Sequence, residues 1–355
     1  MNLNSVDISQ LPSDVRKQFK QLQVMHAEKK IQNKAKSDFL SFVKCVWPEF
    51  IEGAHHRHIA KKFNRLANGE ISRLIVNMPP RHTKSEFASY LLPAWMVGRN
   101  PKLKIIQATH TGELAIRFGR KAKNLIDSPE YHKIFQTRLQ EDSQAAGRWE
   151  TAQGGEYFAA GVGGAITGRG ADLLIIDDPH SEQDALSPTA MESAYEWYTS
   201  GPRQRLQPGG RIICVMTRWS KKDLTGMLLS KQKEAKADQW EIVEFPAIMD
   251  HGSEIEPVWP EYWNKEELEK EKKALIEEGS RLWRNAKAEK AREYDGPILA
   301  YIQKVHGKIK RNKLGDVTHF GNLQYIDGHF RKPETVGVSP ELDKLIKAEE
   351  DKPIT

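Results

Sequence analysis

The stretch Leu74-Ile75-Val76-Asn77-Met78-Pro79-Pro80-Arg81-His82-Thr83-Lys84-Ser85 decides the fold. Leu74 to Met78 is a short apolar run that predicts a buried strand. Lys84 to Val97 predicts a helix, with Pro93 placed to kink it. A loop that joins a strand to a helix N-terminus offers unpaired backbone N–H groups to an anion, and the helix dipole adds to the attraction. In phosphate-binding loops a Lys then reaches the outer phosphates, and the next Ser or Thr hydroxyl binds magnesium. Lys84 and Ser85 stand in those two places. The usual pattern G-x-x-x-x-G-K-[ST] carries two glycines, whereas here Met78 and Thr83 occupy their positions. By pattern alone, an ordinary strand-to-helix loop with a solvated Lys fits as well.

Outward from this loop, strands and helices alternate. Lys104 to Thr109, Tyr157 to Ala160, Leu173 to Ile176, Arg211 to Met216 and Trp240 to Phe245 read as strands. Gly112 to Ile126, Thr189 to Tyr198 and Lys222 to Ser230 read as helices. This alternation predicts a mostly parallel sheet with helices on both faces. Short continuous apolar runs fit strands buried on both sides. Ahead of the sheet, Phe39 to Ile51, ended by Pro48, and His58 to Leu66 have helical spacing, and the polar first forty residues predict surface helices. Glu256 to Trp263, rich in Pro and aromatics, reads as a boundary. Beyond it, Leu268, Leu275 and Leu282 recur every seven residues in a charged segment and predict one long amphipathic helix.

The strand through Leu173–Ile176 ends in Asp177-Asp178-Pro179-His180. At the carboxyl edge of a parallel sheet, where ligands bind, Asp177 can hold magnesium through water and Asp178 can orient an attacking water. Asp before Pro is also common turn chemistry. Together, a Lys-Ser loop and an Asp-Asp pair in one alternating region point to a nucleotide-hydrolysing site.

The chain has 355 residues, two cysteines and 54 Lys+Arg against 48 Asp+Glu, a net charge of +6. Two cysteines exclude a disulfide framework and a four-cysteine zinc site. The charge balance suits an anionic partner such as nucleic acid. Lys121, Lys123, Arg203, Arg205 and Arg211 form a candidate basic surface for phosphates, although each alone fits a solvated charge equally well. No apolar run is long enough to span a bilayer, and the N-terminus has no signal-peptide pattern, so neither membrane nor secretion is expected.

Several stretches in order resemble the large, motor subunit of tailed-phage terminases: Gly53-Ala54-His55-His56, Met78 to Glu86, Thr167 to Asp172, Leu174 to Pro179 and Met216-Thr217-Arg218-Trp219. That family often carries a phosphate loop lacking both glycines, with a basic residue early in it. The resemblance implies an α/β P-loop NTPase fold (ASCE-type), with an N-terminal helical segment (1–52), an ATPase domain (53–263), a charged helix (264–292) and an unassigned tail (293–355). It implies ATP and Mg2+ as ligands, bound by the loop Pro80, Arg81, His82, Thr83, Lys84, Ser85 and Glu86. Arg81 would touch the phosphates, Lys84 would bind the β- and γ-phosphates, and Ser85 and Asp177 would hold the metal. Asp178 stands where many relatives have a catalytic Glu. Thr217 lies where the family couples hydrolysis to motion, and His55, His56 and His58 would lie near the adenine pocket. No carboxylate or cysteine at ligand spacing supports a metal at those histidines. The glycine-rich loop before Asp172 is a flexible turn, or it offers Arg169 as an arginine finger to a neighbouring subunit.

The implied partners are double-stranded DNA, further copies in a ring on a capsid portal, and the terminase small subunit. The implied place is the host cytoplasm, with transient residence at the procapsid. The family's nuclease domain is not expected here: Asp295, Asp316 and Asp327 read as solvated, and a motor without cutting activity follows. Alternatives are a helicase-like translocase and an inactive DNA- or capsid-binding fragment.

Overall fold

The computed structural model describes residues 12–270 apart from 167, 182, 185–186, 235–236 and 251–254, together with residue 273 and four short backbone strands between 309 and 331. The central sheet has eight strands: β1 (Arg73–Asn77), β2 (Lys104–Thr109), β3 (Leu139–Ala145), β4 (Arg148–Thr151), β5 (Glu156–Gly161), β6 (Ala171–Asp177), β7 (Leu206–Met216) and β8 (Glu241–Glu244). Their order is β3-β4-β5-β2-β6-β7-β1-β8. All neighbours from β5 to β8 pair in parallel, while β3 and β4 pair antiparallel. The fold is therefore α/β with a mostly parallel sheet, as expected, and β7 lies between the loop strand β1 and the acidic strand β6.

The two-residue period of the strands divides the core. Leu74, Val76, Ile105, Leu173, Ile175, Ile213 and Val215 pack on one side. That side is covered by α2 (Phe39–Val46), α3 (Ala54–Asn68), α4 (Leu92–Arg99), α5 (Gly112–Ile126) and the short α6 (Pro129–His132). Ile75, Ile106, Leu174, Ile176, Ile212, Cys214 and Met216 pack on the other, against α7 (Pro188–Ser200) and α8 (Leu224–Lys231). Burial on both faces is why these strands read as continuous apolar runs.

Several expectations are corrected. The helix from Lys84 does not run to Val97 as one kinked α-helix: Glu86–Leu91 is π-helical and hands over to α4 at Leu92, with Pro93 in its first turn. Proline lacks the N–H of an interior helical bond and its ring crowds the carbonyl four residues earlier. A wider turn just before it accommodates both. Residues 139–151, expected as a loop, form the antiparallel β3–β4 edge. The N-terminal surface helix is α1 (Ser13–Ser37), in which only Ala35 is buried. After the central sheet, β9 (Ile248–Asp250) and β10 (Ile255–Pro257) form a separate antiparallel pair, and among the tail residues β11 (Ile309–Arg311), β12 (Val317–Phe320), β13 (Leu323–Ile326) and β14 (His329–Arg331) form an antiparallel meander. The long helix expected over 264–292 begins at 265, and most of it lies outside the described residues, as do Asp295, Asp316 and Asp327.

Candidate functional site

The carboxyl ends of β1, β6 and β7 bring the predicted residues together. Lys84 Nζ lies 2.7 Å from Asp178 Oδ2. The other oxygen of Asp178 accepts from the Thr217 backbone N–H at 2.8 Å. The Thr217 hydroxyl donates to the Met78 carbonyl at 3.3 Å. One closed path thus links the phosphate-loop strand, the acidic strand and the strand between them. Asp178 takes φ 41, in the left-handed region, and so turns away from the line of β6.

Asp177 continues that line and is buried. Its Oδ1 accepts from Ser85 Oγ at 2.9 Å and its Oδ2 from Ser89 Oγ at 2.6 Å. Burial pushes the Asp177 carboxyl up, the charge of Asp178 adds to that, and Lys84 and the two serines oppose it. Ser89 carries no motif signal. It reaches the carboxylate because it sits one turn beyond Ser85, inside the π-helical segment.

The loop itself is unusual in its backbone. Arg81 has φ 59 and Thr83 φ 63. A non-glycine residue in this region costs on the order of 1–3 kcal/mol. Pro80 and Arg81 are exposed at the tip. His82 is buried and its Nδ1–H donates to the Pro80 carbonyl at 2.8 Å. Glu86 faces away from the loop and pairs with Lys121 at 2.5 Å.

A histidine and tryptophan cluster walls the loop. His56 Nδ1 accepts from the Gly53 N–H at 2.9 Å, so its proton is on Nε2, which lies 2.6 Å from Thr83 Oγ1. Trp259 meets His56 edge-on at 4.8 Å, and Trp263 stacks on His82 at 5.7 Å. A Cβ at Gly53 would lie 2.6 Å from Trp259, so only glycine admits this approach. The aromatic stretch expected as a boundary therefore packs against the phosphate loop. Burial, with His82 nearby, lowers the His55 pKa to about 4. Burial, with His55 nearby, lowers that of His56 to about 2. Both rings are neutral at pH 7.

Arg169 lies at the opposite, amino edge of the sheet. It precedes β6, pairs with Glu156 at the start of β5, and stacks its guanidinium over Phe158 at 4.0 Å. It cannot reach Lys84 of its own chain. In the expected basic surface, Lys121 is paired with Glu86, Arg203 with Asp238 at 2.6 Å, and Arg211 donates to the Ala67 carbonyl at 3.1 Å. Beside Thr217, Arg218 pairs with the buried Asp223 at 2.9 Å.

Among the described residues no group of three His, Cys, Asp or Glu could hold a metal ion. Ser85 and Asp177 fit magnesium nonetheless, because that ion is commonly held by one or two protein oxygens, with phosphates and water completing the shell. No helix among the described residues is long and apolar enough to cross a membrane.

No protein-family model and no curated protein sequence matches the chain. Among solved structures, it is similar to the large terminase of bacteriophage HK97, with 13% identity and a TM-score of 0.42 over 60% of this chain and 44% of that one. It is also similar to the large terminase of a thermophilic bacteriophage in complex with ADP, with 12% identity and a TM-score of 0.35 over 52% and 45%. The chain thus spans under half the length of either protein. Neither likeness bears on which reaction the site performs.

Proposed function

We propose that the chain is an ATP-hydrolysing motor subunit that translocates double-stranded DNA into a viral procapsid. The observation that carries the reading is the Lys84–Asp178–Thr217 path across three adjacent strand ends, beside a serine-held buried carboxylate. Phosphoryl transfer needs positioning and charge stabilisation more than covalent chemistry. Lys84, at a helix N-terminus, supplies positive charge to the β- and γ-phosphates, and the exposed Arg81 adds a second cation from the loop tip. Magnesium, bound by Ser85 and Asp177, would neutralise charge on the same phosphates. Asp178 is the candidate to orient the attacking water, its carboxylate steered by the Thr217 N–H. The Thr217 hydroxyl, tied to Met78, joins the acid's surroundings to the loop strand and is the candidate coupling element.

DNA as the partner is supported by the net charge of +6 and by the ordered motif resemblance. Contacts to phosphates would be salt-sensitive and nearly blind to sequence. Assembly of several copies on a portal, a small-subunit partner, and activity in the host cytoplasm belong to the same proposal. So does Arg169 acting on a neighbour's nucleotide, since its own loop is out of reach.

The test is ATP turnover of the purified chain with Mg2+ and linear duplex DNA, beside Lys84→Ala. Turnover in the parent, reduced about a hundredfold or more in the variant, is expected. Equal rates in both, or none in the parent at high protein concentration, would overturn the reading.

A further inference from the structure

Thr83 occupies the place of the second glycine of the ordinary phosphate loop, and with φ 63 it takes a left-handed conformation that glycine adopts without steric cost. A β-branched residue does not hold this conformation unaided. Two hydrogen bonds hold it here. The Thr83 hydroxyl donates to the His82 carbonyl at 2.6 Å, and Thr83 Oγ1 lies 2.6 Å from His56 Nε2. The direction of the second bond is fixed from outside: His56 Nδ1 is occupied by the Gly53 N–H, so Nε2 is the donor. The imidazole cannot turn away, because Phe50, Phe87 and Trp259 surround it at ring distances of 4.8, 5.0 and 4.8 Å. The threonine oxygen thus has one donor and one acceptor partner, and the histidine ring has both nitrogens engaged.

We propose that His56 is a positioning residue of the phosphate loop, and that the His56–Thr83 pair does the work of the missing glycine by holding the loop open for an anion. In an ordinary loop the conformation comes free with glycine. Here it comes from a side chain on α3, twenty-seven residues away in sequence. The proposal rests on the loop being a nucleotide site, and it makes one demand that a merely buried histidine would not: His56 matters only while residue 83 is not glycine.

The experiment is a cycle of variants of the full chain, read by binding of ADP with Mg2+. His56→Asn keeps an oxygen where Nδ1 accepts from Gly53 but loses the reach to Thr83. His56→Gln keeps a donor near the Nε2 position. Affinity is expected to fall about tenfold in His56→Asn and to stay within about twofold in His56→Gln. In the Thr83→Gly background, His56→Asn should change affinity by less than about twofold. The same loss in both backgrounds would overturn the proposal. Thr83→Val, isosteric but without the oxygen, decides the matter if His56→Asn does not fold: unchanged affinity there would also overturn it. If the parent binds no ADP, the nucleotide reading fails but the pair remains testable by melting. His56→Asn should lower Tm by several degrees, and by clearly less in the Thr83→Gly background. Equal drops would refute the coupling.

Discussion

Asp177 has both carboxylate oxygens engaged by hydroxyls of one helix, and only one of those hydroxyls was legible. Ser85 follows the lysine and could be placed by pattern. Ser89 meets Asp177 across 88 residues, and nothing local marks it. With Ser89→Ala one oxygen of a buried carboxylate loses its donor. A hydrogen bond to a charged group contributes about 1.5–3 kcal/mol, so ATP turnover should fall about ten- to a hundredfold, with more Mg2+ needed for half-maximal rate. An unchanged rate and Mg2+ requirement would remove Ser89 from the site. The histidines give a second prediction at this scale. His55 and His56 hold folded pKa values of about 4 and about 2, below the ordinary 6.5. Between those values and 6.5 the unfolded chain binds protons that the folded chain refuses. Their contribution is therefore complete above pH 6.5 and is lost as pH falls toward 4 and then 2. The slope approaches about 1.4 kcal/mol per pH unit for each histidine. Urea midpoints from pH 7 to 4.5 should drop more steeply in the parent than in His55→Asn, and parallel curves would contradict the assignment. That His55 and His56 meet Trp259, and that His82 stacks on Trp263, was not legible, because the contacts join segments far apart in the chain.

At the scale of elements, legibility followed burial. The strands β1, β2, β6 and β7 are covered on both faces, so their apolar runs stood out in sequence. β3 and β4 form the polar edge of the sheet, Leu-Gln-Glu-Asp-Ser-Gln-Ala and Arg-Trp-Glu-Thr, and carry no such run. The π-helical turn before Pro93 was readable only as a kink, since proline announces a disturbed hydrogen bond but not how the backbone absorbs it. The connection from β7 to α8 depends on one residue. Asp223 is fully buried and accepts from the backbone N–H groups of Trp219, Ser220 and Gly226 as well as from Arg218. It caps α8 and closes the loop that begins at Thr217. Asp223→Ala would strand a mostly buried guanidinium and three N–H groups. The expected loss is about 3–5 kcal/mol of folding free energy, measured by denaturant unfolding. A loss below about 1 kcal/mol would mean that water or other groups take over those donors.

At the scale of the whole molecule, the parallel sheet sets two groups of motif residues at opposite edges. Lys84, Asp177, Asp178 and Thr217 gather at the carboxyl edge, whereas Arg169 sits at the amino edge, held by Glu156 and Phe158. A guanidinium there stabilises no charge on its own chain's phosphates. Two roles are left for it, and they differ in what they predict. If Arg169 only ties β6 to β5, Arg169→Ala should lower stability by up to about 1 kcal/mol, as for a partly exposed pair, and leave turnover near the parent level. If it serves a neighbouring copy, it must exchange Glu156 for phosphate, and Arg169→Ala should lose turnover while still binding nucleotide. An equal mixture of Arg169→Ala and Lys84→Ala chains then separates the cases. Each chain alone is inactive under the second role, but random pairing places an intact lysine beside a neighbour's intact arginine in about one pairing in four, so about a quarter of the parent rate should return. Under the first role the mixture can only show the average of its two components. The rate of the mixture, read against that average, decides whether the site is complete within one chain or is finished by the next.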